Sequence, residues 1–330
     1  MSPGSARTRW FLIAAGAAAM LTACSAGSDG SRTPADTSAS AIASPSAAPV
    51  GGAAFERFTI GDLAAVALRD GALNFPNDNA IFGVGRTPAE VAALLEAAGA
   101  PGDSLHLSLQ PLLVKTSDRV MLFDTGAGTN FGPTAGHLAS SLAAADVDPE
   151  SVTDIFISHA HGDHVGGLVN AQGTLVFPNA VVHMSAPAWA FLKGMDAKSA
   201  GNAGVGRHAE LVEAITPKVV AFAPGSTVIP GVVKAVDEEG HSPGHSGYLI
   251  TSGKESLLYI GDALHHYVVS VQRPGWPNSF DSDTASAAAS RRALLERSAA
   301  SGQRLYAVHL PFPGIGRIEK RGEGFVWVPE

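Results

Sequence analysis

Residues His159-Ala160-His161-Gly162-Asp163-His164 place three imidazoles and a carboxylate within six positions. They follow Asp154-Ile155-Phe156-Ile157-Ser158, a short apolar run rich in β-formers, and Gly166-Gly167 comes soon after. This is the pattern of a buried strand running into a turn. On an extended backbone residues i and i+2 face the same way, so His159 and His161 can grip one cation. The chain then turns at Gly162, and Asp163 and His164 reach a second point beside the first. Neutral imidazole and carboxylate suit zinc and similar divalent metals. The competing reading is a polar loop with chance histidines, a poor account of this spacing in a chain with 12 His among 330 residues.

The segment resembles the signature of the metallo-β-lactamase superfamily, and four more landmarks follow that family's order. Asp124-Thr125-Gly126 comes after Val120-Met121-Leu122-Phe123 and resembles the early Asp-x-Gly turn. Gly244-His245, inside His241-Ser242-Pro243-Gly244-His245-Ser246, resembles the second histidine motif. Gly261-Asp262 follows Ser256-Leu257-Leu258-Tyr259-Ile260 and resembles the strand-end aspartate. His309, after Leu305-Tyr306-Ala307-Val308, resembles the last histidine. The resemblance implies an α/β fold, the αββα four-layer metallo-β-lactamase sandwich. It assigns His159, His161 and His245 to a first metal, Asp163, His164 and His309 to a second, and Asp262 to the bridge between them. Two divalent ions, Zn2+ in this family, are the implied cofactors, with Asp163 and Asp262 as the catalytic carboxylates. Two dications ~3.5–4 Å apart lower the pKa of a shared water, so a metal-bound hydroxide exists near neutral pH. The aspartate also sorts the branches. True β-lactamases generally lack it, whereas lactonases, phosphotriester hydrolases, thioesterases and tRNA-processing nucleases keep it. The flavo-diiron branch usually has Glu where His161 stands.

A narrower resemblance covers roughly residues 105–330. Phe131-Gly132-Pro133-Thr134-Ala135-Gly136, Phe177-Pro178-Asn179-Ala180 and His309-Leu310-Pro311-Phe312-Pro313-Gly314-Ile315-Gly316 look like the methyl parathion hydrolase subgroup. Its members are exported zinc-dependent phosphotriester hydrolases with lactonase relatives. The resemblance makes Phe131 a wall of a leaving-group pocket. Trp189 lies where another pocket aromatic is expected, with an ordinary packed tryptophan as the alternative. His265 and His266 follow the bridging aspartate, and one of them, His265, is expected to line the substrate cavity, with two solvated or packed imidazoles as the alternative.

The N-terminus reads as a targeting segment. Arg7 and Arg9 form a basic region, and Trp10 to Leu21 is apolar but well short of the ~20 residues of a spanning helix. Leu21-Thr22-Ala23-Cys24 resembles the bacterial lipoprotein cleavage box, which makes residues 1–23 a signal peptide and Cys24 the lipidation site. Cys24 is the single cysteine, so an intrachain disulfide is impossible. Residues 24–50 are rich in Ser, Ala and Pro and read as a disordered tether. The expected location is exported and lipid-anchored on the extracytoplasmic side of a bacterial membrane. Residues 51–330 remain for one catalytic domain, long enough for a single layered core in a chain that is 45% hydrophobic and 16% charged over its 330 residues. Losing residues 1–23 takes the formal net charge from −8 to −10, because two Arg and no acid leave. An acidic domain without a Lys/Arg run argues against nucleic acid as substrate. The expected partner is a small-molecule substrate, and the assembly is open between monomer and homodimer.

Periodicity sketches the elements. Strands are expected within 55–69, 174–183, 232–236, 246–251, 256–260, 305–308 and 325–328. Residues 107–116 and 120–123 read as a hairpin leading into Asp124. Thr87-Pro88-Ala89-Glu90 opens a helix that stops at Gly99, with Thr as N-cap and Glu at N3. Other helices are expected over 136–145, 187–194 and 285–298, with a Gly-rich loop at 201–204. Asp124 is expected to buttress the ligand loop, His241 to be structural rather than a ligand, and Asp281 and Asp283 to cap helices. His106, His137, His183 and His208 receive no catalytic role. The expected activity is hydrolysis of phosphotriesters or lactones. β-Lactam or thioester hydrolysis is the alternative enzyme reading, and a non-catalytic metal- or ligand-binding surface lipoprotein the alternative of another class.

Overall fold

The structure is a computed structural model and describes residues 53–330. The expected signal peptide (1–23), lipidation site Cys24 and tether (24–50) lie outside the described residues. One seven-stranded sheet runs in the order β1 (Phe55–Ile60), β2 (Leu63–Leu68), β5 (Leu112–Lys115), β6 (Val120–Phe123), β7 (Asp154–Ile157), β8 (Val181–Ser185) and β9 (Val219–Phe222). A second runs β10 (Thr227–Ile229), β11 (Val233–Asp237), β12 (Ser246–Ser252), β13 (Glu255–Tyr259), β14 (Leu305–Tyr306), β15 (Ile315–Arg321) and β16 (Gly324–Pro329). A separate hairpin joins β3 (Gly71–Pro76) to β4 (Ser104–Leu109).

The sheets stack through aromatic side chains. Phe123 lies on Phe156 at 4.7 Å between centroids and meets Tyr248 at 5.6 Å and Tyr259 at 5.7 Å across the sandwich. Offset and edge contacts of this kind add to the gain from burying the rings. Helices cover both outer faces. On the first sheet lie Leu138 and Leu142 of α2 (Leu138–Ala144), Leu192 of α4 (Ala186–Gly194) and Leu211 and Ile215 of α6 (His208–Ile215). On the second, Leu294 and Leu295 of α8 (Thr284–Ser301) pack against Leu258, Ile260 and Leu305. The result is the αββα sandwich. A further cluster joins α1 (Pro88–Ala97) to the β3–β4 hairpin and to α7 (Val269–Gln272).

The topology gathers the chemistry at one edge. β6, β7 and β8 are mutually parallel, as are β13 and β14. Asp124, residues 159–164, Asp262 and His309 all follow the C-terminal ends of these strands, where loops of α/β sheets form their sites. β12 is antiparallel to β13, with Tyr248 opposite Tyr259. The residues before β12, including His241 and His245, therefore reach the same edge. Backbone Ser246 N–H donates to Ser158 C=O at 2.9 Å and ties the two sheets together there.

Local signals account for most elements. α1 starts with the expected capping box between Thr87 and Glu90, and its C-cap is Ala98. β7 is buried at every position, as a strand flanked by parallel neighbours must be. Three expectations are corrected. Residues 107–116 are not one hairpin arm. The chain breaks at Gln110-Pro111, so Leu107–Leu109 pairs with β3 and only Leu112–Lys115 pairs with β6. The break is held by Gln110, whose buried amide donates to the carbonyls of Ala307 and Leu310 at 2.8 and 2.7 Å. Within 174–183 only Val181 onward is a strand. The Gly-rich 201–204 region lies at the end of the short helix α5 (Ala197–Asn202), opened by an Asp196 capping box.

Candidate metal centre

β7 ends just before Ser158, and the turn that follows is built for close approach. His161 keeps extended backbone, and the short helix α3 (Gly162–Val165) then rotates Asp163 and His164 away from it. A Cβ on Gly162 would lie 2.0 Å from the Gly204 carbonyl oxygen, so no larger residue fits there. The remaining side chains arrive from the loop before β12 (His241), from beyond β13 (Asp262) and from beyond β14 (His309).

Two groups of ligating atoms result. His159, His161, His241 and Asp262 form one, and Asp163, His164 and His309 form the other, each within a 4.8 Å span. Asp262 reaches both. Its Oδ1 lies 3.1 Å from His164 Nε2 and 3.0 Å from His309 Nε2. Its Oδ2 lies 3.3 Å from His241 Nε2 and 3.6 Å from His159 Nε2. One carboxylate oxygen thus serves each group.

The tautomers follow from what each outer ring nitrogen touches. His164 Nδ1 meets Asp124 Oδ2 at 2.7 Å and can only donate to it. His309 Nδ1 donates to the Ser108 carbonyl at 3.0 Å. His241 Nδ1 donates to Asp281 Oδ1 at 3.2 Å. Ser158 Oγ donates to Asp124 at 2.6 Å, so it accepts from His159 Nδ1 at 3.0 Å. In every case a proton sits on the outer nitrogen, which leaves Nε2 as the atom facing inward. The Nε2 atoms of His159 and His241 are 3.1 Å apart, and His241 Nε2 is also 3.1 Å from His161 Nδ1. His164 Nε2 and Asp262 Oδ1 are buried without a hydrogen-bond partner. Converging ring nitrogens and carboxylate oxygens call for positive charge between them, and neutral imidazole with carboxylate is a donor set for divalent cations.

Electrostatics separates the groups. Burial holds the His159 and His241 imidazoles well below their ordinary pKa and lowers His161 to about 4, so their lone pairs are available at neutral pH. Burial works the same way on His164 and His309, but Asp262 and Asp163 outweigh it and raise both. Burial opposes charge on Asp262 too, yet His164, His309, His159 and His241 around it keep it well below the usual carboxylate range.

Most of the expected residues meet here, with one exchange. His245 is not among the converging donors. Its Nδ1 donates to the Glu238 carbonyl at 2.9 Å, and its Nε2 accepts the backbone N–H of Asp262 at 2.9 Å. Both nitrogens are spent, so His245 positions the aspartate and has no lone pair left for a metal. His241, expected to be structural, takes the inward position. Both histidines lie in one His-x-x-x-His segment, and sequence alone does not say which one faces inward.

Asp281 was expected to cap a helix and does not. Asp283 caps α8, whereas Asp281 is buried against His241 and Arg291. Asp124 buttresses the loop as expected. His265 is 1% exposed with both ring nitrogens unpartnered, and its Nε2 lies 3.2 Å from Asp262 Oδ2. His266 accepts from the Val268 and Val269 N–H groups at the start of α7 and is structural. Phe131 is half-buried against Leu73, Ala127 and Ala135, with its ring over Gly204. Trp189 packs on the helical layer with Lys193 above it at 5.0 Å, the contacts of an ordinary packed residue.

The exchange is testable. His241→Ala should lower metal content by about one ion per chain, whereas His245→Gln should keep wild-type content. Metal analysis of the purified variants decides it, and the reverse pattern would restore His245 as the ligand.

Comparison with known proteins identifies the family. The sequence pattern of the metallo-beta-lactamase superfamily matches residues 111–309. Among solved structures the chain is similar to AidC, a dizinc quorum-quenching lactonase. The two are 31% identical with a TM-score of 0.78, over 84% of this chain and 97% of that one. It is also similar to the hydrolase AbOPH of the beta lactamase superfamily, at 30% identity and a TM-score of 0.75, over 84% and 98% of the two chains. Ribonuclease Z of Lactobacillus gasseri is 36% identical over 80 residues, 24% of this chain and 23% of the ribonuclease. The match thus spans about a quarter of the length of such curated relatives. With its matched segment holding every converging donor, the chain belongs to the metallo-β-lactamase superfamily of metal-dependent hydrolases.

Proposed function

We propose that the chain is a dinuclear hydrolase, with zinc as its metal, acting on small esters of the lactone or phosphotriester class. The observation that carries this reading is Asp262, one carboxylate with an oxygen turned to each of two donor groups. Divalent cations held there would lower the pKa of water and offset charge developing on the attacked carbonyl or phosphoryl oxygen. The chain's own residues do the rest. Asp163 is the more open carboxylate, with a side chain 11% exposed against 4% for Asp262. Its Oδ2, 3.6 Å from both His164 and His309 Nε2, is placed to take a proton from the attacking water and return it to the leaving alkoxide. His265 offers an unpaired ring nitrogen beside Asp262, between Phe82 and Phe280, as a hydrogen-bonding wall for substrate. Phe131 supplies apolar surface near the ligand loop, reached through Gly204 and Gly162.

The likeness to AidC and the acidic balance favour small neutral esters. AidC is a lactonase by name, and the chain is similar to it over nearly the whole length of that protein. The likeness to ribonuclease Z is confined to 80 residues, and the acidic balance disfavours a polyanion. A metal-loaded screen of aryl phosphotriesters, aryl esters, lactones and nitrocefin tests the reading. A lactone or triester should lead nitrocefin in kcat/KM by at least ~100-fold, a gap of ~2.7 kcal/mol in transition-state binding. Phe131→Ala should cost aryl substrates ~1–3 kcal/mol more than small aliphatic lactones. Nitrocefin as the best substrate, or no turnover with two ions bound, would overturn the assignment.

Export and anchoring through a lipid on Cys24 complete the proposal, supported by the Leu21-Thr22-Ala23-Cys24 box. Cys24→Ser should move the protein out of the membrane fraction or leave it unprocessed. A variant that fractionates with membranes as wild type does would refute the anchor.

A further inference from the structure

Segment 278–283 grips His241 from two sides. Ser282 donates its N–H and its hydroxyl to the His241 carbonyl, both at 2.8 Å, and Asp283 N–H donates to Gly240 C=O at 2.9 Å. Between these backbone ties Asp281, its side chain fully buried, presents Oδ1 to His241 Nδ1 at 3.2 Å. The other oxygen is held by Arg291 Nη2 at 2.8 Å and by Asn278 Nδ2 at 2.9 Å. Arg291, 2% exposed on α8, also donates through Nε to the Ala263 carbonyl at 3.2 Å and through Nη1 to the Pro274 carbonyl at 2.9 Å. Ala263 follows Asp262 directly. A single guanidinium therefore fixes both the carboxylate behind His241 and the backbone behind the bridging aspartate.

The geometry points to Asp281 as the positioning residue that selects the His241 tautomer for metal binding, with Arg291 holding Asp281 in place. This inference rests on the dinuclear reading above. Neutral imidazole can carry its proton on either nitrogen. A carboxylate facing Nδ1 accepts only a proton there, so Nε2 is left with its lone pair toward His159 and His161. The carboxylate also makes the imidazole a stronger donor, and loss of such an outer partner typically weakens metal affinity by ~10–100-fold. The other group is buttressed independently. His164 leans on Asp124, and His309 leans on the Ser108 carbonyl. Asp281 should therefore govern one ion and spare the other.

The ion pair is buried, so removing Asp281 alone strands the Arg291 charge and destabilises the fold as well. Two variants separate these effects. Asp281→Asn removes the carboxylate. Asp281→Asn with Arg291→Met removes both charges and should recover much of the lost melting temperature. Stepwise titration of the metal-free proteins with Co2+, followed by absorbance and by competition with a chromophoric chelator, gives each dissociation constant. One constant should rise ~10–100-fold in both variants, with the other moving less than ~3-fold in Asp281→Asn, where Arg291 still holds the Ala263 carbonyl. Affinity that recovers along with melting temperature in the double variant, equal weakening of both ions in Asp281→Asn, or no change would overturn the inference. Wild type is titrated alongside. Fewer than two ions there would defeat the dinuclear reading, while the remaining step still reports on Asp281.

Discussion

The Asp124 carboxylate is the interaction on which the rest of the centre depends. Buried between the sheets, it accepts from Ser158 N–H at 2.7 Å, Ser158 Oγ at 2.6 Å, His164 Nδ1 at 2.7 Å and Tyr259 Oη at 2.7 Å. These partners come from the ligand loop of one sheet and from β13 of the other. Its own backbone sits at φ +56°, a region that non-glycine residues seldom occupy. Such conformations persist where the surroundings over-determine them. Four donors provide that constraint, and through them a packing contact between sheets becomes an instruction about which way His164 and His159 point.

Other donors are oriented by the same principle from different directions. Ser108 on the β3–β4 hairpin exchanges two hydrogen bonds with His309, accepting from its ring and donating to its carbonyl. Asp70, fully buried, accepts the N–H groups of Ala127, Gly136 and Leu138 and so shapes the loop carrying Phe131. Ring nitrogens are left converging on a small volume beside the Asp163 and Asp262 carboxylates, an arrangement well suited to a cation. The fold thus gathers ring nitrogens and carboxylate oxygens that a divalent cation would satisfy together.

Much of this was legible in the chain itself. The apolar run 154–158 followed by a His-rich turn located both strand and site, because strand periodicity and metal-ligand spacing operate over a few residues. The Thr87 capping box and the Asp283 cap were equally local signals. Long-range choices were not legible. Whether His241 or His245 faces inward depends on Glu238 and the Asp262 N–H, which compete for the second ring. Asp281 resembled a cap because another Asp two positions on does cap the helix, and only tertiary packing brings His241 to it. The break at Gln110 depends on carbonyls 197 and 200 positions away in sequence.

Diffraction from metal-loaded crystals, with anomalous differences recorded at the metal edge, tests the central claim most directly. The account predicts two peaks ~3.5–4 Å apart with the Asp262 carboxylate between them. His159, His161 and His241 should surround one peak, and Asp163, His164 and His309 the other. A single peak, or one whose coordination includes His245 in place of His241, would contradict it.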